Sequence, residues 1–504
     1  MKNTVRSWSE SAYRFVKIHQ NKLFFGGFAL IVVFYLLLVG LAIGHQPVGF
    51  DEGWDLQAPL NMAKHGHYAS QGGMWGGITK PFDPYLSTGP SVQLPIAVMF
   101  KLFGVGAIQA RLVIVAFYLA VLILITWYVY GITKSKYALL APLTILILMA
   151  PPIKFQLDIL GEFPAIAYAL ASLIAWRKQK FFWAGLFAAL AVLSKAIMFF
   201  LIFAAAGLFF VWLLRNWRHK ISVIISGLKW AVGIALPLGA WELFKFIQLG
   251  GYRPWWHNWH EYIEFFKVTG SGLAPNGTVL SYRTKFDMLT STIQLPRVAF
   301  VLAVLGILLL IGLRYANLLN ALRKQAYALL FIALYLAWWF LKSNGGFVRY
   351  VIPVSGIIIA TAWATALVAQ NKKMPQAVYW LRAAICLVVG VLLLAAVHRQ
   401  FFPIKSPSFS PTLQTEQLVA KRVADSHPTT LTHLGFWQNP EIEFLGNLHS
   451  TEQSYRPVGS QFQLLLSPTM KNITPTDYEK GRKECTKIYF EQDGYLYCLA
   501  TKTS

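Results

Sequence analysis

Long apolar stretches recur along this chain and leave few folds open to it. They fall near 23–43, 109–131, 137–151, 161–176, 181–195, 197–214, 222–247, 297–313, 326–342, 348–369 and 377–397. Most approach the ~20 residues that carry a helix through a ~30 Å hydrocarbon layer. The two beside Lys195 are short and read as a tight pair sharing a polar apex. Over 504 residues the chain is 56% hydrophobic and 13% charged, with a mean hydropathy of +0.49. The expectation is a mainly α, polytopic membrane helical bundle of about eleven spans.

Charge orients the spans. With residues 1–22 in the cytoplasm, the inside segments carry Lys2, Arg6, Arg14, Lys17, Lys22, Lys134, Lys136, Arg177, Lys178, Lys180, Arg215, Arg218, Lys220, Arg314, Arg323, Lys324, Lys372 and Lys373 against a single acid, Glu10. Short loops rich in Lys and Arg stay inside, so the assignment holds at every turn and places the C-terminal segment outside. The formal charge of +24 is therefore spread over membrane-flanking loops, which argues against nucleic acid as a partner. The first apolar stretch follows a long basic segment and precedes no small-residue cleavage site, so it reads as an anchor rather than a signal peptide.

Three regions stand apart from the spans. Within a body at 23–399, residues 44–107 and 252–296 form extracytoplasmic loops, and 400–504 form a small extracytoplasmic α/β domain. In that domain Leu413–Ala424 reads as a helix, Thr429–Leu434, Ile442–Leu445 and Gln461–Leu466 as strands, and Pro475–Arg482 as a helix. Two final strand-like runs carry Cys485 and Cys498, which suit a disulfide in an oxidising compartment if the register allows. No repeat of 20–50 residues is evident.

Acids are scarce, so their positions are informative. None occurs between Phe163 and Trp241 or between Met288 and Thr415. An ionised group near bilayer depth costs ~2.5–3.5 kcal/mol by insertion, so such groups usually face a cavity, a partner or a substrate. Asp51 and Glu52 open a segment just past the first span, with Asp55 on a neighbouring face and Pro59 interrupting it. Asp51 either caps that segment or performs chemistry. Asp158 and Glu162 lie one helical turn apart before the next span, and either orient an acceptor, assist a divalent ion, or stabilise a helix N-terminus. Trp255-Trp256-His257-Asn258-Trp259-His260 reads as an interfacial aromatic belt. A metal pair of His257 and His260 is the rarer meaning of that spacing.

Four motifs in order carry a family resemblance: Gly49-Phe50-Asp51-Glu52-Gly53-Trp54; Lys80-Pro81-Phe82-Asp83-Pro84-Tyr85 running through Ser87-Thr88-Gly89-Pro90 to Ala110-Arg111-Leu112; Gly185 through Leu193-Ser194-Lys195; and Arg349-Tyr350-Val351-Ile352-Pro353. Over about residues 23–370, and more weakly at 436–446, the chain resembles the GT-C membrane glycosyltransferases, in the branch of protein O-mannosyltransferases and the lipid A aminoarabinose transferase.

The resemblance implies inverting transfer of a sugar from a polyprenyl-phosphate (undecaprenyl-type) carrier to a hydroxyl or phosphate of a glycan, lipid or protein acceptor. The expected location is the inner membrane of a bacterium, with the site outside. It implies Asp51 as the base and Glu52 as its orienting partner. Lys80, Lys195 and Arg349 would steady the departing phosphate, and Tyr85, Asp158, Glu162 and Tyr350 would complete the substrate site. A divalent metal, which some relatives use, is the one cofactor left open, although no ligand spacing here supports it. A transporter or flippase of lipid-linked sugars, without transfer activity, is the competing function.

Overall fold

The computed structural model describes residues 24–70, 79–148, 157–215, 220–268, 280–285, 322–341, 350–367, 412–426, 439–448, 460–468 and 475–501, together with positions 22, 287, 343 and 431–432. In chain order the body runs α1 (Phe24–Ala42), α2 (Phe50–Asp55), α3 (Gln57–His65), β1 (Ala69–Ser70), β2 (Lys80–Pro81), α4 (Pro90–Phe103), α5 (Ala107–Thr133), α6 (Leu140–Leu148), α7 (Glu162–Arg177), α8 (Phe181–Ser194), α9 (Phe200–Arg215), α10 (Lys220–Gln248), α11 (Tyr252–Val268), α12 (Ala326–Leu341) and α13 (Ile352–Leu367).

Among the described residues, four helices are long and apolar enough to cross a membrane: Phe24–Ala42, Ala107–Thr133, Ala196–Arg215 and Lys220–Gln248. Shorter apolar helices match the runs near 137–151, 181–195, 326–342 and 348–369, and α7 matches that at 161–176. The runs 297–313 and 377–397 lie outside the described residues. One apolar helix was not expected: α4 occupies the end of the segment read as a loop at 44–107. Pro90 starts it, where no N–H is required, and Val98, Leu102 and Phe103 project outward.

The core follows from the all-round apolar character of α5, α7, α8, α12 and α13. Tyr118, Leu122, Ile125, Leu170, Ala188, Trp339 and Ile357 belong to one buried cluster. Tyr35 of α1 stacks on Tyr118 at 4.5 Å between ring centres. Between α8 and α10 small residues bring the backbones together. A Cβ on Gly185 would lie 2.1 Å from the Trp230 carbonyl oxygen, and one on Gly233 2.1 Å from that of Phe182.

The segment after α1 forms two short helices, broken at Leu56 rather than at Pro59. Pro59 sits in the first turn of α3, where its missing N–H has no intrahelical acceptor to lose. β1 and β2 then pair antiparallel, Ala69 opposite Pro81 and Ser70 opposite Lys80.

The C-terminal domain comprises α14 (Leu413–Asp425), β3 (Leu431–Thr432), α15 (Pro440–Gly446), β4 (Gln461–Leu466), α16 (Pro475–Glu484), β5 (Cys485–Gln492) and β6 (Tyr495–Thr501). Its sheet has the order β3-β4-β6-β5, parallel only between β3 and β4. Cys485 and Cys498 form the disulfide. Ile442–Leu445 is helical, not a strand: Pro440 begins α15, Glu441 and Glu443 fill its first turn, and left-handed Asn447 ends it.

This domain is seated on the loop after α1. Leu413 N–H donates to the His45 carbonyl at 3.1 Å, Val48 N–H to Glu416 Oε2 at 2.6 Å, and Gln57 Nε2 to Glu443 Oε2 at 3.2 Å. Leu413 and Phe444 join Val48, Leu56, Leu60 and Ile96 in a single apolar cluster. A Cβ on Gly53 would fall 2.4 Å from the backbone nitrogen of Glu441, so α2 and α15 touch through main chain.

Candidate functional site

Asp51 and Glu52 both occupy the first turn of α2, where a helix favours negative charge. Their surroundings then separate them. Glu52 is 1% exposed. Arg111 grips it through two parallel bonds, Nε to Oε1 and Nη2 to Oε2, each 2.9 Å. The Gly49 N–H also donates to Glu52 Oε2 at 3.2 Å. The rest of the Arg111 guanidinium caps the carbonyls of Ile43, Gln46 and Pro47 at 3.2, 2.7 and 2.9 Å. Glu52, expected as the orienting partner of Asp51, is held by these bonds in the turn between α1 and α2. Asp51 is half-buried.

Asp55, one turn on, is buried and accepts four bonds. Ser87 N–H and Thr88 N–H reach Oδ1 at 2.9 and 3.3 Å, and the Ser87 and Thr88 hydroxyls reach Oδ2 at 2.7 and 2.8 Å. Its pKa is pushed up to about 6 chiefly by burial, with Asp51 adding to the shift; the Ser87 bonds, Lys195 and Thr88 work against it. The Thr88 hydroxyl also accepts from Gly161 N–H at 3.1 Å. Gly89 N–H donates to the Ser194 carbonyl at 3.0 Å. A Cβ on Gly89 would lie 2.0 Å from the Leu193 carbonyl oxygen, so only glycine fits there.

These links hold Glu162 and Lys195 in register with α2. Lys195 Nζ lies 2.9 Å from Glu162 Oε1, and both side chains are buried. The pair is in ionic contact without hydrogen-bond geometry, and among the described residues neither group makes another side-chain hydrogen bond. Asp158, four residues before Glu162, accepts from Gln46 Nε2 at 2.7 Å and lies within electrostatic reach of Arg111.

A cavity of about 440 Å³ opens beside this cluster. Asp83, Ser87, Thr88, Glu242, Lys245, Asn258 and Tyr262 give it polar groups, while Val192, Leu193, Phe199, Leu238 and Ile263 give it apolar wall. Asp51, Lys80, Tyr85, Glu162 and Lys195 do not line it themselves, although Leu193, Ala196, Phe82 and Leu86 beside them do. Lys80 pairs with Glu261 at 2.7 Å, and the Tyr85 ring packs on Phe265 at 4.7 Å. Tyr350 accepts from the Tyr335 hydroxyl through its carbonyl and lies within electrostatic reach of Tyr262. Arg349 lies outside the described residues.

Helix α11 covers the cavity, and its aromatics do more than mark an interface. Trp255 and Trp259 both donate their indole N–H to Glu242 Oε2 at 2.8 Å. Asn258 Nδ2 donates to the Phe82 carbonyl at 3.0 Å. Lys245 is 3.5 Å from Glu242 and 4.8 Å from the centre of the Trp259 ring. His257 is exposed beside Glu261, and His260 Nδ1 lies 3.2 Å from the Trp256 carbonyl; among the described residues no group of three acids, histidines or cysteines is arranged around a metal position.

Sequence reasoning placed Arg111 in a motif without giving it a role, and missed Lys245 and the tethering role of Asp55. A lone Arg near the start of an apolar helix, downstream of unpaired acids, was the available signal for Arg111; Lys245, three residues after Glu242, had a comparable one.

No protein-family model matches the chain, and no curated protein matches it in sequence. Its fold does have solved counterparts. The crystal structure of ArnT from Cupriavidus metallidurans bound to undecaprenyl phosphate matches with a TM-score of 0.51 at 13% identity, covering 94% of this chain and 97% of that one. The apo structure of the same protein covers the same shares with a TM-score of 0.50 at 13% identity. ArnT is a lipid A aminoarabinose transferase of the GT-C type, so the chain shares the fold of a GT-C glycosyltransferase. Independently of that fold, the four long apolar helices among the described residues support an integral membrane protein.

Proposed function

We propose that this chain is an inverting glycosyltransferase that moves a sugar from a polyprenyl-phosphate carrier to an acceptor hydroxyl or phosphate at the outer face of a bacterial inner membrane. The observation that carries the reading is a cavity with both polar and apolar walls, set beside a buried Lys195–Glu162 pair, in the fold of a protein solved with undecaprenyl phosphate. Carrier phosphate and sugar suit the polar wall, and the first isoprene units suit the apolar one.

An acceptor hydroxyl is a poor nucleophile, so a base must take its proton as the oxygen attacks the anomeric carbon. Asp51 is assigned that role, while Glu52 and Arg111 hold the turn that carries it. The bond from anomeric carbon to phosphate oxygen breaks, and the carrier phosphate leaves with the electron pair. Displacement from the opposite side inverts the carbon. A phosphate leaving group is already a weak base and needs positive charge rather than a proton. Lys195, buried against Glu162, is assigned that charge, with Lys80, Lys245 and Arg349 as further candidates. Tyr85, Asp158, Glu162 and Tyr350 are assigned to holding the substrates.

The test is transfer in detergent from a radiolabelled pool of polyprenyl-phosphate sugars extracted from cells lacking the protein. Native protein should discharge the pool, and Asp51→Asn should slow transfer by about 100-fold or more. Purified protein that moves intact lipid across vesicles, equally well as Asp51→Asn, and transfers nothing would show a flippase instead.

A further inference from the structure

Asp55 is buried among four donors, yet no Lys or Arg makes a direct ion pair with it among the described residues. A loop tether alone does not require a full charge. Neutral acceptors perform that task, and burying a carboxylate without a paired cation is costly. Its place in the fold gives the charge a use. It shares helix α2 with Asp51, four residues earlier and so on the same face. The Ser87–Thr88 turn it holds lines the cavity and continues by hydrogen bonds to Gly161, beside Glu162, and from Gly89 to Ser194, beside Lys195.

We propose that Asp55 is a positioning residue for sugar transfer: its carboxylate locks α2 to the Ser87–Thr88 turn, and its negative charge makes Asp51 a stronger base. This rests on the function proposed above. The charged or titratable groups facing Asp55 are Asp51 from its own helix, Lys195 from the end of α8, and the phenol of Tyr68 next to β1. Like charges one helical turn apart each raise the other's proton affinity. With its pKa pushed up to about 6, Asp55 carries the charge above that pH and loses it below. The base is therefore strongest under neutral conditions, and its support fades on acidification.

The experiment compares rate–pH profiles of the full chain in detergent, using the same labelled lipid pool, for native protein, Asp55→Asn and the double variant Ser87→Ala/Thr88→Val. Amide hydrogen exchange at residues 85–90 is followed alongside. Asp55→Asn keeps an acceptor oxygen, so amide protection should persist. Its acid limb should move down by about one pH unit, with a plateau rate about tenfold lower. The double variant keeps the charge but removes donors that favour it, so its acid limb should move up. Opposite shifts support the proposal. A superposable Asp55→Asn profile, or a loss of the same factor at every pH, overturns it while leaving the transferase reading intact provided native protein is active. A native protein that transfers nothing removes both.

Discussion

Arg111 shows how a single side chain can decide what its neighbours are free to do. It is fully buried, spends its fork on Glu52 and its remaining donors on three carbonyls, and so fixes one of two adjacent acids in place. Removing one partner of such a pair strands a buried charge. Arg111→Met should cost about 3–5 kcal/mol, read as a fall in melting temperature in detergent. Adding Glu52→Gln should restore part of that loss, because the stranded charge goes too. The acids at 51, 52 and 55 were conspicuous in the sequence because carboxylates are rare in this body. What each does was not legible, since Glu52 meets a residue 59 positions on and Asp55 meets residues 32 and 33 positions on. Such pairings are set by tertiary packing, and local spacing holds no record of them.

Among elements, α2 has the most contested surroundings. The helical spans were readable because their pattern is local and long. The break at Leu56 and the helix at Pro440–Gly446 were not, because a run as short as Ile442–Leu445 fits strand or helix equally. Contact with α2 is made by that misread helix. Gly53→Ala would place a methyl 2.4 Å from the Glu441 nitrogen, and overpacking of this kind costs about 1–3 kcal/mol. The expected outcome is faster amide exchange and easier proteolysis at 440–446. Gly49→Ala is the control, since its added methyl meets nothing within 4 Å.

For the whole molecule, the sequence supports a mainly helical body followed by a small α/β unit, and the described residues form apolar helices and a small C-terminal sheet. The domain's sheet, with a parallel β3–β4 pair against otherwise antiparallel neighbours, could not be ordered from sequence, because pairing partners there are separated by long insertions. Its bridge between Cys485 and Cys498, 13 residues apart, should stabilise it by about 3 kcal/mol on loop-closure grounds. Reductant should therefore lower the melting of the domain and leave the helical signal of the body unchanged, as followed by circular dichroism. The seat of that domain on the α1–α2 turn carries a further meaning for biogenesis. A ribosome makes Asp51 early and Glu416 and Glu441 hundreds of codons later. Until that distal stretch emerges and folds, Val48 has no acceptor from Glu416 and Gly53 has no backbone to lie against. A nascent polypeptide would hold Asp51 in an unfinished setting until α14 and α15 have been made and have packed against the α1–α2 turn.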